Sequence, residues 1–188
     1  GKNMTARNNI IGKIDWWLLF MSVALVFIGV SAIYAAAFNE AHPSIFDMSQ
    51  HYGKQFLFAG VSIFLGLIIM LIDAKFFNAF AYVIYGISIL FLLYVLVGGS
   101  TIAGSKSWIQ FGGFSFQPSE FAKFGTALAV AHYLGGINTD FSKLKTQAIA
   151  YGLVLFPMML VLMQGDAGSS LVFLVFILVF YREGMSGK

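Results

Sequence analysis

Residues 104–124 read Gly-Ser-Lys-Ser-Trp-Ile-Gln-Phe-Gly-Gly-Phe-Ser-Phe-Gln-Pro-Ser-Glu-Phe-Ala-Lys-Phe. The stretch passes from a polar, glycine-broken loop straight into an apolar helix that carries Glu120 and Lys123 about one turn inside it. Ionisable groups at membrane depth cost roughly 2.5–3.5 kcal/mol each on insertion scales, so they are usually functional or tightly paired. The sequence on either side of this stretch is membrane-like.

The chain is 59% hydrophobic and only 10% charged, against about 25% charged in a soluble domain. Six uncharged or nearly uncharged runs follow: 16–38, 55–72, 76–97, 118–134, 147–163 and 168–181. About 20 apolar residues at 1.5 Å rise cross a ~30 Å hydrocarbon core. The runs are too long and too uniformly apolar for barrel strands, which alternate. The expected fold is therefore all-α, a polytopic transmembrane helical bundle forming a single membrane domain over 1–188, with a long loop at 98–117. The first run follows Lys2, Arg7 and Lys13 and ends in Ala35-Ala36-Ala37. Its apolar length exceeds the 7–15 residues of a signal peptide core, so it reads as an uncleaved first helix.

Threading six spans from a cytoplasmic N-terminus puts Lys2, Arg7, Lys13, Lys75, Lys143, Lys145, Arg182 and Lys188 inside and only Lys54 and Lys106 outside. That asymmetry is a positive-inside signal. It makes the 98–117 loop and the Gln164–Ser170 turn extracytoplasmic, with Trp108 at headgroup depth and Ser105 and Ser107 accessible from outside. With no cysteine, disulfides and thiolate metal sites are excluded. His42, His51 and His132 have no metal-ligand spacing, so no cofactor is called for; a requirement for a divalent cation is not readable from the sequence. A net charge of +3 gives no support to a nucleic-acid partner.

Three groups of residues could carry chemistry. Pro118-Ser119-Glu120 suits a helix start, with Pro at the first helical position and an acid in the first turn. Lys123 does not, because a cation near a helix N-terminus opposes the dipole. It is expected to pair with a carboxylate, Glu120 or Asp166. Lys106, Trp108 and Gln110 lie in the glycine-rich loop. They read either as an interfacial segment anchored by Trp108 or as a substrate platform, with Lys106 a point charge suited to phosphate. Gln164-Gly165-Asp166-Ala167-Gly168-Ser169-Ser170 is a second polar island, in which Asp166 is placed to cap the following helix.

Gly104–Gly112 followed by Gln117-Pro118-Ser119-Glu120-Phe121-Ala122-Lys123 resembles the signature of the SEDS family (shape, elongation, division and sporulation), bacterial proteins that include RodA and FtsW. Gln164-Gly165-Asp166-Ala167-Gly168-Ser169 is similar to that family's Gln-Pro-Asp-Leu-Gly-Thr motif, and Asp15-Trp16-Trp17 also matches. Ser107 stands where many members have Arg, Gly165 replaces Pro, Ala167 replaces Leu and Ser169 replaces Thr. The RodA branch is the nearer one.

The resemblance implies that six of about ten spans are present here. It implies a peptidoglycan glycosyltransferase that polymerises lipid II at the outer face of the bacterial cytoplasmic membrane during elongation. The family's proposed catalytic carboxylate would then lie in a later loop outside this chain. Lys123, Glu120 and Asp166 would support it, and Lys106, Trp108, Gln110, Gln117, Ser119 and Gln164 would bind substrate, with Ser107 dispensable. The implied partners are lipid II, undecaprenyl pyrophosphate, membrane lipids and a class B penicillin-binding protein. A lipid II flippase and a proton-coupled transporter with Glu120 as relay are the alternatives.

Overall fold

The computed structural model describes residues 14–38, 40–41, 44–102, 104–112, 114–136 and 140–183. Lys2, Arg7, Lys13, His42 and Lys188 lie outside the described residues. The chain forms two compact units, Gly1–Ile72 and Asp73–Lys188.

The first unit holds α1 (Trp16–Ala37) and α2 (His51–Leu71). Asp15 starts α1 by accepting the backbone N–H groups of Trp17 and Leu18 at 3.1 and 3.0 Å, which satisfies two of the donors a helix start leaves unpaired. Only Val30, Tyr52 and Gly53 are buried in this pair. The Tyr34 and Tyr52 rings meet edge to face at 5.1 Å. Gly53 lies directly against the backbone of Asp47, leaving no room for a Cβ. A helix apolar all round and exposed all round is suited to lipid.

The second unit contains α3 (Ala74–Gly98), a small sheet, α4 (Pro118–Leu134), α5 (Leu144–Met163), α6 (Ala167–Val172) and α7 (Val175–Arg182). Asp73 caps α3 through the Lys75 N–H at 2.9 Å. The core runs through Ile89 and Leu92 of α3, Ala122 and Val130 of α4, Val154 and Val161 of α5, Phe173, and Phe180 of α7. The buried face of α4 is small: Ser119, Ala122, Gly125, Thr126 and Ala129. At Gly125 a Cβ would stand 2.9 Å from Ser88 Oγ of α3. Such close approach is how helices associate when lipid removes the hydrophobic drive between them.

Pro157 lies inside α5. It has no N–H to give the carbonyl four residues earlier. That carbonyl, Leu153 O, instead accepts the hydroxyl of Tyr85 from α3 at 3.0 Å. A neighbouring helix thus repairs the gap the proline leaves.

Among the described residues, four helices, α1, α2, α3 and α5, are long and apolar enough to cross a bilayer. Expected run 168–181 is two helices, α6 and α7, joined at Phe173–Leu174. There the N–H groups of Phe173, Leu174, Phe176 and Ile177 all bond three residues back, at 3.0–3.1 Å, which tightens the segment to 3₁₀ geometry.

The 98–117 loop is an antiparallel sheet of β1 (Ser100–Ile102), β2 (Ser105–Phe111) and β3 (Phe114–Phe116), in that order. Trp108 faces Ser100 and Lys106 faces Thr101 across the first pairing, which shifts between Ser100 and Thr101. Gln110 faces Ser115 across the second. Gly104 and Gly112, at φ +84° and +49°, occupy the left-handed region that turns between strands require. Ser107 and Ile109 of β2 are buried and Gln110 is exposed, the alternation of a half-covered strand.

Candidate functional site

The two polar islands meet at one end of the second unit, where α3 and α5 finish, α4 and α6 begin and the sheet lies across them. Lys106 is central to this junction. Its backbone N–H donates to Gln164 O at 3.0 Å. Its ammonium donates to Leu96 O at 3.2 Å and Val97 O at 3.0 Å, the unpaired carbonyls at the C-terminal end of α3. A cation there complements the helix dipole. Two of its three donors are therefore committed to holding the sheet on α3.

Ser107 was expected to be accessible from outside, and the structure corrects this. Its side chain is buried, and its Oγ lies 2.7 Å from Ser105 Oγ, which in turn donates to Gln164 O at 3.2 Å. A labelling reagent would reach Thr101 or Gln110 instead, both exposed. Trp108 is half-buried, and Gln110 points away from the helices.

Gln164 is buried, and its Nε2 donates to Leu92 O of α3 at 3.1 Å. Its Oε1 is buried with no partner among the described residues, as are Ser119 Oγ and Thr126 Oγ1. Gly165 follows at φ +79°. Its N–H bonds Leu162 O at 3.0 Å and that of Asp166 bonds Val161 O at 3.4 Å. This is a Schellman closure of α5. Proline is fixed near φ −65°, so the Pro of the family pattern could not take this backbone conformation.

Asp166 starts α6. Its Oδ1 accepts the Ser169 N–H at 3.0 Å, and its Oδ2 accepts the Gln117 amide at 2.8 Å. Gln117 Nε2 also lies 3.5 Å from Ser169 Oγ. One turn along α4, Lys123 pairs with Glu120, with Nζ 2.8 Å from both Oε1 and Oε2. Of its two expected partners, Lys123 thus takes Glu120, while Asp166 is held by Gln117.

The Glu120 and Lys123 side chains are 59% and 25% exposed. They lie on the α4 face that also shows Phe124, Ala127, Ala131 and Gly135, all exposed, opposite the buried face that meets α3 and α5. At the far end of α4, His132 Nδ1 lies 2.6 Å from Asn78 Oδ1 of α3.

Sequence reasoning missed Ser105, Ser107 and Tyr85. The β-type alternation of residues 105–111 between two glycines was the available signal for the first two. Nothing local marks Tyr85. Among the described residues there is no group of three or more His, Asp or Glu side chains placed to hold a metal.

The FTSW_RODA_SPOVE family of cell cycle proteins matches residues 16–188. The peptidoglycan glycosyltransferase RodA of Treponema pallidum is 36% identical over 170 residues, covering 90% of this chain and 38% of that protein. The probable peptidoglycan glycosyltransferase FtsW of Trichlorobacter lovleyi is 29% identical over 164 residues, covering 86% and 43%. The crystal structure of the rod shape determining protein RodA of Thermus thermophilus aligns with a TM-score of 0.79 at 31% identity, over 93% of this chain and 55% of that one. A chain from a structure of a peptidoglycan synthase complex aligns with a TM-score of 0.75, also at 31% identity, over 90% and 48%. The chain therefore spans about half the length, or less, of the relatives it matches. It belongs to the SEDS family, the FtsW, RodA and SpoVE cell cycle proteins, which are polytopic membrane proteins built largely of helices.

Proposed function

We propose that the full-length protein is a peptidoglycan glycosyltransferase that polymerises lipid II at the outer face of the bacterial cytoplasmic membrane, with its N-terminus inside. The observation that carries this reading is the Glu120–Lys123 pair on an uncovered face of a helix read as membrane-spanning. Charges at that depth need a polar cavity or a protein cover. The chain spans 55% of the Thermus RodA length, so the remaining helices would complete a cavity over that face.

The chemistry assigns roles. An acceptor sugar hydroxyl attacks the anomeric carbon of the growing chain. The new glycosidic bond forms as the bond to undecaprenyl pyrophosphate breaks, and the hydroxyl proton passes to a carboxylate base. That base belongs to the part of the protein beyond this chain. Positive charge stabilises the departing pyrophosphate, and Lys123 is the cation suited to it, with Glu120 orienting its ammonium. Lys106, whose ammonium already bonds two carbonyls, acts through the sheet instead. Trp108 and Gln110, on the outer part of β2, and Gln164 and Ser119, with their unpartnered buried oxygens, remain the candidates for contact with substrate. A class B penicillin-binding protein is the proposed partner, in keeping with the peptidoglycan synthase complex to which one aligned chain belongs. No resident cofactor enters the scheme.

The test is polymer formation from labelled lipid II by the full-length protein with its transpeptidase partner, run beside a lipid II translocation assay in proteoliposomes. Polymer without translocation is expected. Translocation without polymer would favour the flippase. Proton-dependent flux with neither would favour the transporter.

A further inference from the structure

Gln117 occupies the N-cap position of α4, yet its side chain makes no bond to its own helix. Asn, Asp, Ser and Thr are the usual caps because a short side chain folds back onto the next N–H groups. The longer Gln117 amide instead reaches 49 residues along the chain to Asp166. It donates to Oδ2 at 2.8 Å and approaches Ser169 Oγ at 3.5 Å. An ionised carboxylate only accepts hydrogen bonds, so the chemistry fixes the direction of the amide: turned over, Oε1 would face Oδ2. The Ser169 N–H holds the other carboxylate oxygen. Asp166 is therefore gripped at both oxygens from two elements.

We propose that Gln117 is a positioning residue for Asp166, locking its carboxylate in one orientation beside the Glu120–Lys123 pair so that glycosyl transfer meets a preorganised site. This rests on the polymerase reading above. It moves Gln117 from contact with substrate to control of a carboxylate, and gives the two sequence islands one shared task. The other titratable groups on helices packed against α6 are Glu120, Lys123, His132 and Tyr133 on α4 and Lys145 and Tyr151 on α5. Lys123 is committed to Glu120. His132 and Tyr133 lie in the last turn of α4 and Lys145 in the first turn of α5, at the opposite ends of those helices from Asp166.

The experiment uses the full-length protein with its transpeptidase partner and labelled lipid II. Gln117→Leu keeps the bulk and removes the donor; Gln117→Glu keeps the shape and sets a second carboxyl against Asp166. Misplacing a reacting or supporting group by about 1 Å costs on the order of 10²-fold in rate. Gln117→Leu is thus expected to lower kcat by about 10²-fold with little change in KM. Gln117→Glu is expected to be slower still at pH 7.5 and to regain activity relative to the parent as pH falls. A proton shared between two adjacent carboxyls restores a bond there, because like charges raise one of the pair.

Melting in detergent accompanies each variant, and Gln117→Glu carries the test alone if Gln117→Leu does not fold. Parental kcat in Gln117→Leu would overturn the proposal and leave the polymerase reading standing. A Gln117→Glu variant with parental activity at pH 7.5, or with a loss that pH does not change, would also overturn it. So would a loss matched by the fall in folded fraction. A parent that makes no polymer would sink the polymerase reading itself, and this inference with it.

Discussion

Tyr85→Phe tests the way this bundle repairs its own backbone. The substitution keeps the ring and removes only the hydroxyl that donates to Leu153 O at 3.0 Å. Pro157 has no N–H for that carbonyl, so the variant leaves a part-buried acceptor without this donor. In soluble proteins such a loss costs about 1–3 kcal/mol. In membrane bundles side-chain hydrogen bonds average about 0.6 kcal/mol and reach about 1.7. Tyr85 is half-buried between α3 and α5, so a cost of about 1 kcal/mol is expected, between these limits. The control is Pro157→Ala, which returns an N–H to position 157 and lets α5 satisfy Leu153 O by itself. On that background Tyr85→Phe should cost close to nothing. A double-mutant cycle on unfolding in mixed micelles reads the difference as a coupling of about 1 kcal/mol. Equal costs on both backgrounds would show that the hydroxyl stabilises something other than the proline gap.

Three further outcomes follow from single contacts. Gly165→Ala should destabilise the second unit by about 1–2 kcal/mol, the penalty of a left-handed residue bearing a Cβ, and Gly165→Pro should cost more because φ +79° is closed to proline; thermal melting of both variants checks this. Lys106→Met should lower stability by about 0.3–1 kcal/mol through the exposed end of α3 while leaving lipid II polymerisation within a few-fold, whereas a direct phosphate role would remove most activity. In the α4–α5 connection, the hydroxyl and the N–H of Ser142 hold the Asp140 carboxyl below its ordinary value of 3.8, helped by nearby Lys143 and opposed by slight burial. The stability this lends is present above the unfolded value and lost as pH falls through the lower folded one. Ser142→Ala should move the Asp140 carboxyl titration upward, as followed by carbon NMR, and an unmoved titration would show that the hydroxyl is not the cause.

The apolar runs made the helices legible, because a bilayer demands long uncharged stretches and little else resembles them. Their ends were less so. α2 begins at His51 and α5 at Leu144, each a turn or so before the apolar run, since backbone hydrogen bonding continues into polar residues that hydropathy leaves out. Glu120 and Lys123 were readable as a pair because three residues along a helix is a local distance. The Gln117–Asp166 contact was not, because it joins segments that only the packing of α4 against α6 brings together. The 98–117 region shows a different limit. Its glycines marked turns, but the seven residues between Gly104 and Gly112 also alternate as a strand does, and the membrane context drew attention from that period. Lys106 looked like a free cation because a sequence cannot show that the end of α3 lies within reach of its ammonium.

On the proposed reading, this chain supplies the cation, Lys123, of a polymerase site whose base lies in the rest of the protein. The most direct measurement is the rate of lipid II polymerisation by the full-length protein with its transpeptidase partner, compared with its Lys123→Ala variant and with residues 1–188 alone. Polymer is expected from the parent, with a loss of at least about 10²-fold on Lys123→Ala, comparable to removing one stabilising donor from a transition state, and no polymer from residues 1–188. A Lys123→Ala protein that polymerises at the parental rate, or residues 1–188 making polymer unaided, would contradict it.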